Sequence, residues 1–154
     1  MTNINNRLLI EQLDRKFSEM SSLKQMEIPP NGWIKAIRTA LNMSLVQLAK
    51  RLKKTSVSVR EIEEREQNKN ITLKKLIEVA NALDLQLVYA LIPRDSSIEK
   101  MVEKRAHHIA REIVMRTSQT MKLENQENKE DRIRKAIEER AEHIKQEIPK
   151  YIWD

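Results

Sequence analysis

The sequence has no cysteine, a single glycine, four prolines and only 3% aromatic residues. Without cysteine there is no disulfide framework, no thiolate metal site and no cysteine nucleophile. The lone glycine, Gly32, excludes phosphate-cradling loops, which need several glycines for close backbone approach. So few prolines and aromatics argue against collagen-like, sandwich and barrel architectures. The longest uninterrupted apolar run, from Leu87 to Ile92, is too short to cross a bilayer. No apolar segment with a cleavage site opens the chain, which predicts no secretory signal and a cytoplasmic, reducing setting.

What is present is a chain of 154 residues, 34% charged and 40% apolar. That is enough for one small domain with helical extensions and a modest core. The net charge of +6 is unevenly spread. Residues 31–94 hold twelve Lys/Arg against six acids, whereas residues 1–30 and 95–154 are each balanced. A localised cationic surplus suits a polyanion, because each neutralised phosphate releases condensed counterions. Balanced, charge-rich segments are the ordinary composition of solvated helices.

Apolar residues recur at helical spacing nearly throughout. Ile4, Leu8, Ile10, Leu13, Phe17 and Met20 predict a first helix, broken by Pro29, Pro30, Asn31 and Gly32. A boundary falls there, so that residues 1–30 form an N-terminal helix and linker. Four helices follow: Trp33 to Leu41, then one capped by Ser44, one opening near Thr55, and one capped by Thr72. Trp33 is assigned to the core. The run from Leu85 to Ile92 is short and rich in β-formers, and Pro93 stops it. It reads as the only strand, and pairing with its own copy would satisfy its open edge, which predicts a homodimer. Residues 95–154 resume as helix, with Ile98, Val102, Ala106, Ile109 and Ile113 on one stripe. A last helix carries Ile133, Ile137, Ala141, Ile144 and Ile148. It packs on the preceding helix or docks on another protein. The expected fold is thus all-α with one short strand.

Two short helices joined by a tight turn, from Ser44 to Leu52 and from Ser56 to Glu64, have helix-turn-helix proportions. Ala49 suits their close crossing, and Leu48, Leu52, Val59 and Ile62 supply the interface. The run from Leu41 to Glu63, LNMSLVQLAKRLKKTSVSVREIE, and the stripe from Leu73 to Leu83 resemble the lambda-repressor-like (XRE-type) helix-turn-helix family. The resemblance extends from Trp33 to Asp84. It implies operator binding as a dimer and, often, repression of the chain's own operon. Ser56, Val57, Ser58, Arg60 and Glu61 fall where recognition side chains project, and Glu63 matches an acid that is usually structural. Leu45 stands where a glutamine often starts the first motif helix, and Lys53 replaces the turn glycine. Ser44, Leu45 and Thr55 at the helix starts, with Lys50, Arg51, Lys53, Lys54 and Lys69, complete the expected contacts to double-stranded DNA.

In the tail, Thr120-Met-Lys-Leu-Glu124-Asn125 fits the pattern Ser/Thr-x-x-x-Glu-Gly/Asn. It resembles the inhibitory helix of antitoxins that silence Fic-domain AMP-transferases. The resemblance implies that Glu124 pairs with an arginine of the partner's ATP site and occupies the space of the γ-phosphate. Such a pair is bidentate and strong. The run from Leu85 to Pro93, with KRAHHIAREIV from Lys104 to Val114, also resembles the family called mobile mystery protein A. That family is associated with a Fic-domain partner, mobile mystery protein B. On this reading the chain is an antitoxin and autorepressor; a plain XRE-type regulator with a dimerising or effector-sensing tail is the alternative.

Other constellations predict no chemistry. His107 and His108 are adjacent, so they point about 100° apart on a helix and do not share one ion. His108 and Glu112 are spaced for a surface pair. No carboxylate has apolar surroundings suited to acid catalysis, and no serine sits in a nucleophile elbow. The expectation is a non-enzyme without metal or cofactor.

Overall fold

The computed structural model describes residues 2–118 and 126–154, with side chains for 4–118 and 129–154. Among them are seven α-helices and no strand. They form two compact units, Gln25–Leu91 and the combination of Met1–Lys24 with Ile92–Asp154.

The Gln25–Leu91 unit contains α2 (Trp33–Ala40), α3 (Leu45–Leu52), α4 (Ser56–Gln67) and α5 (Leu73–Ala82). Three of the four begin at a side-chain cap. Ser44 Oγ accepts from Gln47 N while Gln47 Oε1 accepts from Ser44 N, so both orphan amides are satisfied. Thr55 Oγ1 accepts from Ser58 N, and Thr72 Oγ1 from Lys75 N, each at 3.1 Å. Each cap contributes about 1 kcal/mol. The fourth helix is capped from a distance. Glu66 of α4 accepts from Trp33 N at 2.8 Å and Ile34 N at 2.9 Å. Gly32 precedes them with φ +82°, and a Cβ there would stand 2.8 Å from the Glu66 carboxylate. The conformation calls for glycine, and any larger residue would also push the Glu66 side chain from its capping position.

Leu48, Ala49, Leu52, Val59, Ile62, Val79 and Leu83 form the core, with Ile34 from α2. Its one buried acid is Glu63, which takes a forked pair of bonds from Arg38 Nε at 2.6 Å and Nη2 at 3.1 Å. Arg38 Nη1 also donates to Met43 O at 2.9 Å, so the guanidinium fastens the α2–α3 turn to α4. The bond to Glu63 raises the Arg38 pKa further above an already high value, and burial opposes this only in part. Trp33, expected in the core, is 42% exposed.

The strand expected from Leu85 to Ile92 does not form. Leu85 N closes α5 on Ala80 O at 2.8 Å, and residues 86–91 then make no backbone–backbone hydrogen bond among the described residues. The cause is simple: β-forming side chains favour an extended backbone, but a strand exists only beside a second one.

The other unit is built on α6 (Ile98–Ser118) and α7 (Gln126–Glu147). They run antiparallel, with Lys145 near the end of α7 3.6 Å from Glu99 at the start of α6. Val102, Ala106 and Ala110 meet Ile137, Ile144 and Ile152. The two alanines, both fully buried, let α7 approach closely along one groove of α6. Of the two fates open to the last helix, the structure realises packing on its predecessor. A 3-10 turn, Lys150–Trp153, folds Ile152 into the same core, and Arg105 of α6 donates to Ile152 O at 2.6 Å and to Asp154 O. The first helix, α1 (Thr2–Glu19), belongs here too, adding Ile10 to the core. Its Asp14 carboxylate accepts from Ile98 N at 2.7 Å and Glu99 N at 3.1 Å, capping α6 from 84 residues away. No helix among the described residues is long and apolar enough to cross a membrane.

Candidate nucleic-acid interface

α4 is anchored on one side and open on the other. Val59, Ile62 and Glu63 face the core. Helical spacing then gathers Val57, Arg60, Glu61 and Glu64 on the opposite side, and all four are exposed. Val57 is 65% exposed at the second position of the helix, where folding gives it no partner. These side chains match the vocabulary of the major groove: a guanidinium for guanine, carboxylates for the cytosine amine, an apolar branch for the thymine methyl. Glu64 was not among the expected contacts, although its seven-residue spacing from Val57 places it on the same face.

Cations flank this face. Lys50, Lys53, Lys54 and Lys69 are exposed. Lys53 ends α3 at φ 55°, and Lys69, just after α4, has φ 58°. Both occupy the left-handed region, where a glycine would sit at roughly 1 kcal/mol less strain each. The departure at Lys53 therefore exchanges local comfort for a positive charge beside the start of α4, and Lys69 repeats the exchange at its end. Among the described residues no ion pair engages Lys50, Lys53, Arg60 or Lys69, whereas Arg51 reaches Asp84 at 3.4 Å and Lys54 reaches Glu78 at 3.8 Å.

Not every expected contact is equally available. Leu45 is half-buried and packs against the core, and the outward residue beside it is Val46, 55% exposed. The Ser44 and Thr55 hydroxyls are engaged as caps. Ser56 and Ser58 are half-buried at the first turn of α4. Thr120, Glu124 and Asn125 lie outside the described residues. His108 stands 3.6 Å from Glu112 in the exposed pair its spacing implies. No group of three metal-ligating side chains that could hold an ion occurs among the described residues.

Four capped helices around one core, with a cation-flanked second motif helix turned outward, define the class: an all-helical, DNA-binding helix-turn-helix domain of XRE type. The helix-turn-helix family (HTH_3) matches residues 34–89, a span that takes in α3, α4 and α5 whole. No curated protein and no solved structure matches the chain. The chain carries an XRE-like helix-turn-helix domain in its middle third, and that domain supports a DNA-binding regulator.

Proposed function

We propose that this chain binds the promoter of its own operon as a two-copy repressor, with α4 in the major groove. The outward face of α4 carries the reading: Val57, Arg60, Glu61 and Glu64 stand free of the core between exposed cations at both ends. Arg60 reads a base edge, and Lys50, Lys53 and Lys69 fix the register on phosphates. The direct test is fluorescence anisotropy with the upstream duplex across a salt series. Affinity falls steeply with salt, and Arg60→Ala weakens the specific site about tenfold while sparing random duplex. Equal loss on both duplexes would assign Arg60 to phosphate instead.

A second activity is supported by the sequence between α6 and α7. Thr120, Glu124 and Asn125 form the antitoxin-like pattern there, in a charge-balanced unit that the DNA-binding fold does not use. In this reading the tail holds a Fic-domain AMP-transferase inactive, Glu124 countering an arginine of its ATP site. The chain itself does no chemistry. Co-expression with the neighbouring gene product tests this: Glu124→Ala releases AMP transfer and leaves operator binding intact. Full inhibition by the Glu124→Ala chain would remove the glutamate mechanism, and no inhibition by the unaltered chain would favour a plain regulator.

A further inference from the structure

In the Gln25–Leu91 unit, α2, α5 and the run that follows α5 wall a cleft of about 350 Å³. That is the size at which small-molecule sites begin. Trp33 and Ile37 come from α2, Leu76 and Ala80 from α5, and Leu87 and Val88 from the run. The lining is apolar except for Glu66 of α4 and Gln86. Glu66 holds the Trp33 and Ile34 amides, one on each carboxylate oxygen. Its charge sits at the positive end of α2, which offsets it, and no Lys or Arg lines the cleft. Anions are therefore repelled and cations gain little. Among the described residues no hydrogen bond engages the Trp33 indole N–H or the Gln86 side-chain amide. Two polar groups thus remain to orient an occupant. Trp33, 42% exposed, also has aromatic surface left over for stacking.

We propose that this cleft binds a flat, uncharged apolar molecule, a ring compound carrying a hydrogen-bond acceptor for the Trp33 indole. Four separate elements line one volume of ligand size, with an apolar lining and few polar groups, which is the make-up of a small-molecule site. The occupant also has a route to the reading helix. Glu66 lies in the last turn of α4, and its bonds to Trp33 N and Ile34 N tie that turn to the start of α2. A molecule seated on Trp33 and Ile34 shields these bonds from water and steadies the tie. Cleft and duplex then support each other's binding by the same factor. That coupling rests on the reading of α4 given above; the cleft does not.

The test uses the full chain in a Trp153→Phe background, where Trp33 is the remaining tryptophan. The probe is N-phenylnaphthylamine, flat and uncharged, and its anionic relative anilinonaphthalene sulfonate is the comparison. The expected result is saturable, one-to-one uptake of the neutral probe with energy transfer from Trp33. The sulfonate binds at least about tenfold more weakly. Ala80→Leu fills the cleft from a half-buried position, and Val88→Asp sets a charge on its exposed wall. Each raises the probe's dissociation constant at least about tenfold with helicity by circular dichroism unchanged. Leu9→Asp, at an exposed apolar position of α1, changes nothing. Hydrogen exchange at the Trp33 and Ile34 amides slows as the probe binds. No saturable uptake, equal uptake of probe and sulfonate, or uptake that both cleft substitutions leave intact overturns the proposal. So does uptake that falls as chain concentration rises, which would give the cleft to a second copy. Uptake as expected by a chain without duplex affinity upholds the cleft and overturns only the reading of α4.

Discussion

The two units solve the same problem, closing a small helical core, by different means. The Gln25–Leu91 unit uses short helices, a cap at each start and one buried ion pair, Arg38 with Glu63. The α6–α7 unit uses length, a stripe of small residues and apolar contact without a buried charge among its described residues. Polar fastening holds α4 rigidly while leaving its outer face free of packing duties, which is what a reading helix needs. Apolar fastening along long helices gives a stem without specified surface chemistry. The cationic surplus follows the first design, not the second.

Substitutions that damage one unit alone would sharpen this contrast. The largest effect is expected at the ion pair. Glu63→Ala leaves the Arg38 guanidinium without its partner, at 13% side-chain exposure. The cost is about 3 kcal/mol or more. Hydrogen exchange should then accelerate across α2–α5 and stay unchanged in α6 and α7; equal acceleration in both would mean that the units do not unfold separately. Ala106→Leu is the converse. It inserts bulk at a fully buried position, costs about 1–3 kcal/mol, and should loosen α6 and α7 while duplex affinity holds.

A smaller effect falls on the turn. Lys53→Gly relieves a left-handed lysine and should stabilise the domain by up to about 1 kcal/mol. It should also weaken duplex binding and lower the salt slope by about one. A gain in stability without loss of affinity would mean that the strain at Lys53 serves no phosphate.

The smallest effect is one of pH. The hydrogen bond from Lys75, aided by the charges of Lys75, Lys54 and Lys74, holds Glu78 below its ordinary value of 4.5. A folded-state value below the unfolded one gives stability that is complete above about pH 4.5 and lost as pH falls through the folded value. Because Glu78 is 40% exposed, solvent screens much of this. Glu78→Gln should lower the melting temperature slightly in the neutral range and leave the most acidic values unchanged, so that the acid limb is flatter.

Local signals were legible in the sequence and distant ones were not. Ser44, Thr55 and Thr72 announced three caps because a cap acts within three residues, and the helical stripes followed from period alone. Glu66 capping α2 and Asp14 capping α6 span 33 and 84 residues, and no periodicity encodes either. Leu45 was assigned by family position to DNA, yet its side chain answers to the core beneath it. Trp33 reads as core in the sequence, but it lines an open cleft. The run from Leu85 to Ile92 carries true β-forming character, and the single chain offers it nothing to pair with. Of the proposed DNA-contacting set, the outward residues of α4 were legible because helical geometry alone separates them from Val59, Ile62 and Glu63.

The central claim is that the middle unit grips the duplex through α4 and its flanking turns. Hydrogen exchange of the full chain, with and without the upstream duplex, tests it most directly. The account predicts slowed exchange from Ser44 to Lys69, deepest in the first turn of α4, with α6 and α7 unchanged. Protection confined to α6 and α7, with α4 exchanging as freely as before, would contradict it.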